Sequence, residues 1–574
     1  MTSDEQRRPD EQPEGDAAPP AAPDAPSSED AASAPPPPAA LAPESPADAP
    51  TPTRRRAPKE ESPKEVIMSV IMSFALVFIF TRFVVASYVI PTGSMAPTLM
   101  GAHIRVQSAE TGLEWPVNPW RYADPPHNRF PKSVQEMVDP EDTVTGQPLP
   151  ARTQRRRSGD RIFVLHYLYA LFEPQRWDVV VFKYPGNIRE NYIKRLIGLP
   201  GEEVMLADGD VFTRLATAEG ASAADDWRIR RKPVRIQRDL WYELFASDHR
   251  PLSDMHNGQR WRDLWIGGGW SEVPLGYEWP GPDPGLLRWN LAARPIDDWV
   301  AYNDTPQFRQ FVEQGAMRRF PVSDLRLRAS VRPQSEGLSL TARIVARGHV
   351  FESLIAGESA ILRMRPLQRG GAVAEETDWI ELARADIDSL EVDAYSNIEF
   401  WHYDQSLRLY IDGDQIAEAF YDWSVWERFS NAMNREVAES DLGGASFEDP
   451  RSYTPPRVEW SVEGAPVTLT RVGLDRDIYY QPISRVPAFG TSPRNTARMG
   501  ADEFYVLGDN SAASGDSRIW DGLDPWAGRA HGWDEGVVPR ELMMGKAFFV
   551  FWPSPDRVFG LPIVPDFGRM RMIR

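Results

Sequence analysis

Three short segments of the 574-residue chain carry residue types able to do covalent chemistry. The first, Ile90-Pro91-Thr92-Gly93-Ser94-Met95-Ala96-Pro97-Thr98-Leu99, sets a serine hydroxyl beside a glycine. That pairing permits a sharp turn that exposes the hydroxyl and leaves backbone N–H groups free. The second, Asn191–Gly201 (NYIKRLIGLPG), reads as a strand with Lys194 on one face beside Tyr192 and Leu196, and Ile193 and Arg195 on the other. The third, Leu507–Arg518 (LGDNSAASGDSR), is a polar loop behind an expected strand over 504–507. Taken singly, each has an ordinary reading: a Gly-Ser loop between prolines, a solvated strand lysine, and an Asx-rich turn with a surface ion pair worth little energy. Other chemistries have less to stand on. No two of the eight histidines are spaced i, i+4, and there is no HExxH, GxxxxGK[ST] or GxGxxG. Zero cysteines exclude disulfides, thiolate zinc sites, iron–sulfur clusters and a cysteine nucleophile. No cofactor or metal is expected.

In this order, and after an apolar segment, the three resemble the sequence boxes of type I signal peptidase (leader peptidase), a membrane serine protease that removes signal peptides. The family's SGSMxPTL appears as Thr92–Leu99, GDxxxV as Gly159–Val164, and RGDVVVFxxP as Arg176–Pro185. YIKRxxGLPGD appears as Tyr192–Glu202, GDNxxxSxDSR as Gly508–Arg518, and GKA as Gly545–Ala547. The resemblance implies Ser94 as nucleophile and Lys194 as general base of a Ser-Lys dyad. It puts Thr92, where the family usually has serine, with the Ser94 N–H in an oxyanion hole. It implies that Ser514 orients the lysine, that Asp516 and Arg518 brace the loop, and that Ile90 and Ile193 line small substrate pockets. The chain departs from the pattern at Trp177 for glycine, Glu202 for aspartate, Ser511 for a frequent arginine and Thr92 for serine, and none of these removes a dyad member.

This chemistry makes a demand on the fold. A lysine with its ordinary pKa is neutral in only about four molecules per ten thousand at pH 7. Desolvation lowers the pKa towards the working pH, where a base is most useful. Phe182, Ile193 and Leu196 are candidate apolar neighbours.

The elements that must position these residues follow a tail unlike the rest. Residues 1–63 hold 16 prolines and no aromatic residue, and nine carboxylates stand between Pro9 and Pro50 without a Lys or Arg. Such a segment reads as disordered and cytoplasmic. Arg54, Arg55, Arg56, Lys59 and Lys64 then precede the uncharged run Val66–Phe80. This predicts one membrane helix over 64–86, with Arg82 snorkelling and the rest of the chain external or periplasmic. Beyond it the pattern is mainly β. Arg161–Leu165 and Trp177–Phe182 read as strands. Leu325, Leu327, Ala329 and Val331 alternate with polar residues. Asn397–Ile416 reads as two strands across Asp404–Ser406, then an Asp-Gly turn at Asp412–Gly413. The expected organisation is a signal-peptidase-like β core in two parts, 87–203 (with an insertion at 102–158) and 501–574. Between them an accessory β-sandwich, jelly-roll-like, is inserted over 204–500 and takes no part in the chemistry.

A net charge of −19, from 64 Lys+Arg against 83 Asp+Glu, argues against a nucleic-acid partner. The resemblance implies a plasma-membrane endopeptidase cleaving secretory preproteins after small residues, Ala-x-Ala. The alternative is a membrane-tethered, lectin-like or protein-binding module on an inactive protease scaffold, with an unidentified sandwich ligand.

Overall fold

The computed structural model of the chain describes residues 63–83, 85–118, 139–150, 154–166, 168–216, 226–253, 255–256, 259–304, 318–367, 379–438, 446–483, 488–558 and 561–574. The tail expected over 1–63 lies outside the described residues except for Pro63, as do 119–138 and 151–153 of the stretch 102–158.

Helix α1 (Pro63–Phe83) opens on a proline, whose missing N–H costs nothing at a helix start. Its described side chains end at Phe78, the helix stops at Phe83, and strand β1 begins at Val85. Among the described residues no helix is long and apolar enough to cross a membrane. The span expected over 64–86 is therefore not supported, because a crossing helix needs about 20 apolar residues.

The principal sheet has eight strands, all antiparallel. It contains β1 (Val85–Val89) and, after β2 (His103–Gln107), β3 (Glu114–Val117) and β4 (Arg155–Arg157), the strands β5 (Arg161–His166), β6 (Val179–Tyr184) and β7 (Asn187–Gly198). Their order is β1, β5, Met543–Trp552, β6, β7, Glu503–Leu507 and Val538–Pro539, with Arg571–Met572 paired to Met543–Trp552. The unbroken VVVF of β6 reflects burial on both faces. Val179 and Val181 pack with Ile90, Met95, Leu99, Ile162 and Val164, whereas Val180 and Phe182 pack with Leu196, Phe504 and Val506. Strands β2, β3 and β4 belong to a five-stranded sheet with Asp556–Val558 and Leu561–Val564, so the stretch 102–158 joins the C-terminal end of the chain in one sheet.

Strands β8 (Glu202–Ala207) and β9 (Asp210–Leu215) form a hairpin across Asp208 and Gly209, both with positive φ as a two-residue hairpin turn requires. Val204, Leu206 and Val211 share a core with Ile197, Tyr505 and Leu507. Residues 202–215 thus pack against the principal sheet, although the sequence reading starts the insertion at 204.

Beyond them two large antiparallel sheets face each other. One orders Ser271–Val273, Gly276–Trp279, Val467–Arg476, Leu325–Pro333, Ser396–Tyr403, Ser406–Ile411 and Asp414–Phe420. The other orders Trp265–Ile266, Gly285–Trp289, Arg457–Glu463, Ser339–Ala346, His349–Ala356, Ser359–Pro366 and Ile380–Asp386. Leu325, Leu327, Ala329 and Val331 from the first sheet and Leu340, Ala342 and Ile344 from the second enter one core, the arrangement of a sandwich.

A buried charge cluster joins this sandwich to the β8–β9 hairpin. Arg347 and Arg428 both bond the Asp208 carboxylate, Arg428 also pairs with Asp210, and both arginines reach Asp324. All five residues are at most 5% exposed.

Candidate active site

The segment after β1 is held at both ends. Ile90 N donates to Asp160 O at 2.9 Å, and Met100 N donates to the Asp160 carboxylate at 2.8 Å. A Cβ on Gly159 would lie 1.7 Å from the Ile90 carbonyl, so only glycine admits this approach. Asp160, wholly buried, also accepts from Ser554 N and Oγ. Between these anchors Ala96 N closes a turn on Gly93 O at 3.0 Å. Met95 and Leu99 sink into the core and leave Ser94 half-buried.

Lys194 approaches from β7. Its Nζ donates to Ser94 Oγ at 2.8 Å and to Ile193 O at 3.0 Å, and it stands 5.3 Å from the centre of the Tyr192 ring. The residue is 3% exposed, so the solvated strand lysine is excluded. Burial pushes its ammonium from the ordinary 10.5 down to about 8, against the upward pull of the Asp516 and Asp509 charges. Arg195, one residue on, points to the opposite side of the strand. It grips Asp509 through two bonds, Nε to Oδ1 at 2.8 Å and Nη2 to Oδ2 at 2.7 Å.

The loop after Leu507 closes the arrangement. Asn510 N donates to Ser94 O at 3.0 Å, and Asn510 Nδ2 donates to Gly93 O at 3.0 Å. Gly508 must lack a side chain, because a Cβ there would fall 2.5 Å from Ser94 O and 2.2 Å from Ser514 Oγ. Arg518 pairs with Asp516 through Nε and Nη2, each at 2.8 Å, with both residues fully buried. Burial alone would raise the Asp516 carboxyl, but the Arg518 charge and bonds, with the Gly508 N–H, hold it below the usual carboxylate range. Ser511, where the family often has arginine, accepts from Arg518 Nη1 and from Gln481 N, each at 2.8 Å.

The structure therefore brings Ser94, Lys194, Asp516 and Arg518 together. Ser514, 9% exposed, lies beside Gly508, but its hydroxyl makes no hydrogen bond to Lys194. Thr92 is exposed. Ile90 is 3% exposed within the core, and Ile193 packs half-buried against the same cluster. Trp177, where the family has glycine, holds a positive φ of 75°, and its ring fills the core under Ile197 and Leu507. Glu202, in place of aspartate, reaches Arg176 and the Leu199 N–H.

Four positioning residues escape a reading by motif. Asp160 and Asn510 stand inside quoted boxes without an assigned role. Tyr302 and Asn303 come from the region 204–500 and reach the Ser94 loop, so that region is in contact with the loop although the sequence reading sets it apart. The Asn303 and Asn510 side chains bond reciprocally at 2.6 and 2.9 Å, and the Tyr302 ring lies where a Cβ of Gly93 would be. Among the described residues no group of His, Cys, Asp and Glu could hold a metal ion.

A family model described as signal peptidase, peptidase S26, matches residues 152–231 and 408–552. Signal peptidase I of Pseudomonas fluorescens is 31% identical over 130 residues, which are 22% of this chain and 30% of that protein. A probable signal peptidase I-2 of Synechocystis sp. is 28% identical over 133 residues, 22% of this chain and 59% of that protein. The chain thus spans less than two thirds of the length of these relatives. Among solved structures, carbohydrate binding module CBM66 from Bacillus subtilis is similar over 37% of this chain and 95% of its own, at 7% identity and a TM-score of 0.22. Galectin LEC-6 of Caenorhabditis elegans is similar over 27% of this chain and 82% of its own, at 9% identity and a TM-score of 0.17. Scores this low carry no argument about the sandwich. The boxes, their assembly around Ser94 and the family match agree, and over residues 152–231 and 408–552 the chain is similar to the signal peptidase, peptidase S26, family.

Proposed function

We propose that the protein is a serine endopeptidase that removes signal peptides from secretory preproteins by a Ser94–Lys194 dyad. The observation that carries this reading is a buried lysine, its pKa lowered to about 8, 2.8 Å from a half-buried serine hydroxyl. In its neutral form the Lys194 amine takes the Ser94 proton as Oγ attacks the scissile carbonyl carbon. The carbonyl oxygen becomes the oxyanion. The Ser94 N–H, which pairs with no acceptor among the described residues, is placed to receive it, and the exposed Thr92 hydroxyl is the second donor. The C–N bond then breaks and the Lys194 ammonium returns its proton to the leaving amine. Water, deprotonated by the same amine, attacks the acyl carbon, the bond from that carbon to Ser94 Oγ breaks, and the Lys194 ammonium returns its proton to Oγ. Ser514, beside Gly508 and Asp516, is the residue we assign to orient the lysine, and the Asp516–Arg518 pair keeps the loop rigid. A substrate lying extended beside the Ser94 loop would present alternate side chains towards Ile90 and Ile193, and selection of small residues such as alanine there belongs to the same proposal.

Location at a membrane belongs to the same proposal. Val66, Ile67, Met68, Ile71, Met72, Phe74, Leu76 and Phe78 are all exposed along α1, and a helix apolar on every face is not stable in water. A lipid surface is the cover we assign, with the basic flank Arg54–Lys64 on the cytoplasmic side.

The test is incubation of the detergent-solubilised protein and its Ser94→Ala variant with a preprotein carrying Ala-x-Ala before the junction. Mature product from the first and none from the second is expected. Equal cleavage by both refutes the dyad.

A further inference from the structure

The amide pair that joins the insertion to the nucleophile loop has a consequence for the chemistry. Asn510 secures both residues that fix the Ser94 position, since its backbone N–H holds Ser94 O and its side-chain amide holds Gly93 O. That side chain is itself held from one direction. Asn303 Nδ2 donates to Asn510 Oδ1 at 2.6 Å, and Asn510 Nδ2 donates to Asn303 Oδ1 at 2.9 Å. Asn510 is wholly buried and Asn303 is 4% exposed, so water does not replace either bond when one partner is lost.

Beside this pair, Tyr302 presses on the turn. A Cβ added to Gly93 would fall 2.0 Å from the Tyr302 ring, and the Tyr302 hydroxyl donates to Ala102 O at 3.2 Å. The two residues sit on one short turn, Ala301–Asn303. That turn is pinned by Ala301 N on the Tyr242 hydroxyl at 2.7 Å and by Asn118 N on Tyr302 O at 2.9 Å. Tyr242 in turn belongs to the strand Tyr242–Ala246, paired with Val467–Arg476 of the sandwich. A continuous set of contacts therefore runs from the sandwich sheet to the carbonyls on either side of the Gly93–Ser94 peptide bond.

The geometry points to Asn303 and Tyr302 as positioning residues for Ser94, supplied by the inserted region. This inference rests on the Ser94–Lys194 dyad of the proposed function. Asn303 orients the Asn510 amide, Asn510 fixes the Gly93 and Ser94 carbonyls, and Tyr302 limits how far the turn can withdraw from Lys194. Tyr302 and Asn303 are 1% and 4% exposed and so closed to a substrate on the surface, and their removal acts on turnover and leaves substrate affinity largely alone.

The experiment measures kcat and KM on a soluble Ala-x-Ala peptide for the full chain and for Ser94→Ala, Asn303→Ala, Asn303→Ser, Asn510→Ala, the Asn303→Ala/Asn510→Ala double variant and Arg384→Ala. Assays are run well below each variant's unfolding midpoint. Asn303→Ala is expected to lower kcat by about 10- to 100-fold with KM changed less than about two-fold, the size of effect an ångström-scale misplacement gives. Asn303→Ser, whose hydroxyl stands one bond short of the amide and reaches Asn510 only through a shift of the turn, falls between Asn303→Ala and the native chain in kcat. The double variant is no slower than Asn510→Ala alone, because the two amides act as one unit. Arg384→Ala, exposed on the outer strand of the sandwich, leaves kcat unchanged. Unaltered kcat in Asn303→Ala, losses that multiply in the double variant, or a loss that tracks only the fraction of folded protein each overturn the inference. A full chain whose cleavage survives Ser94→Ala overturns the dyad instead, and the two failures are told apart by that variant.

Discussion

Replacing Lys194 by methionine should abolish cleavage and yet stabilise the fold at neutral pH. Methionine matches the length of the side chain and carries no charge. In the native protein, burial lowers the Lys194 pKa from 10.5 to about 8. At 1.36 kcal/mol per unit, holding the ammonium there costs about 3 kcal/mol below pH 8. The bonds from Nζ to Ser94 Oγ and Ile193 O offset this by about 1 kcal/mol each. The variant should therefore be more stable than the native chain by about 1 kcal/mol at pH 7. The sign reverses on the alkaline side. Between pH 8 and 10.5 the unfolded chain binds more protons at this lysine than the folded one, so native stability rises with pH across that window. Above it only the lost hydrogen bonds remain, and the native chain is the more stable by about 2 kcal/mol. The assay is thermal unfolding of both proteins from pH 6 to 10.5, read as the difference between midpoints, in which every other titrating group cancels. A swing of the order of 5 °C in favour of the native chain on going alkaline is expected. A difference that does not change with pH, or one that moves the other way, refutes a desolvated lysine at this site and with it the general base.

Three further outcomes follow from other parts of the molecule. The kcat/KM profile should rise about tenfold per unit below pH 8 and level off above it, since only neutral Lys194 takes the proton; a midpoint near the ordinary 10.5 contradicts the burial. Arg428→Ala leaves buried Asp210 without its arginine and Asp208 and Asp324 with Arg347 alone, and should cost about 3–5 kcal/mol in denaturant unfolding, whereas a change under 1 kcal/mol would show that Arg347 alone satisfies the cluster. Exchange of residues 215–490 for a Gly/Ser linker should eliminate peptide cleavage, because it removes Tyr302, Asn303, Arg347 and Arg428 together; a folded product that turns over at the native rate shows the insertion to be dispensable.

How much of this was legible depends on whether the controlling contact is local in the chain. Gly93-Ser94, Gly159-Asp160 and Gly508-Asp509-Asn510 are written in consecutive residues, because a close backbone approach demands glycine at the very position where it occurs. The strand Leu325–Pro333 was readable for a similar reason: one face is buried, and the period of two survives in the residue types. Burial of Lys194 is a different kind of fact. The YIKRL run places the lysine on a face, but what covers that face comes from Ser94, 100 positions earlier, and from the loop after Leu507. The sequence reading starts the insertion at 204, inside β8, because nothing local marks which sheet the VMLA run faces; only the core that Val204, Leu206 and Val211 share with Ile197 and Leu507 packs β8 and β9 against the principal sheet. Asn303 left no signal at all. Tyr-Asn-Asp reads as loop, an amide pair has no periodicity, and its partner is 207 positions away. In this chain the residues proposed to react are spelled out by short motifs, and of the groups that hold them Asp160 and Asn510 lie inside those motifs, whereas Tyr302 and Asn303 lie in the insertion, where neither spacing nor composition marks them. On the inference that Asn303 positions Ser94, a substitution in the sandwich reaches Ser94 without altering any residue of the boxes, and the Asn303–Asn510 pair is the point at which that route passes into the site.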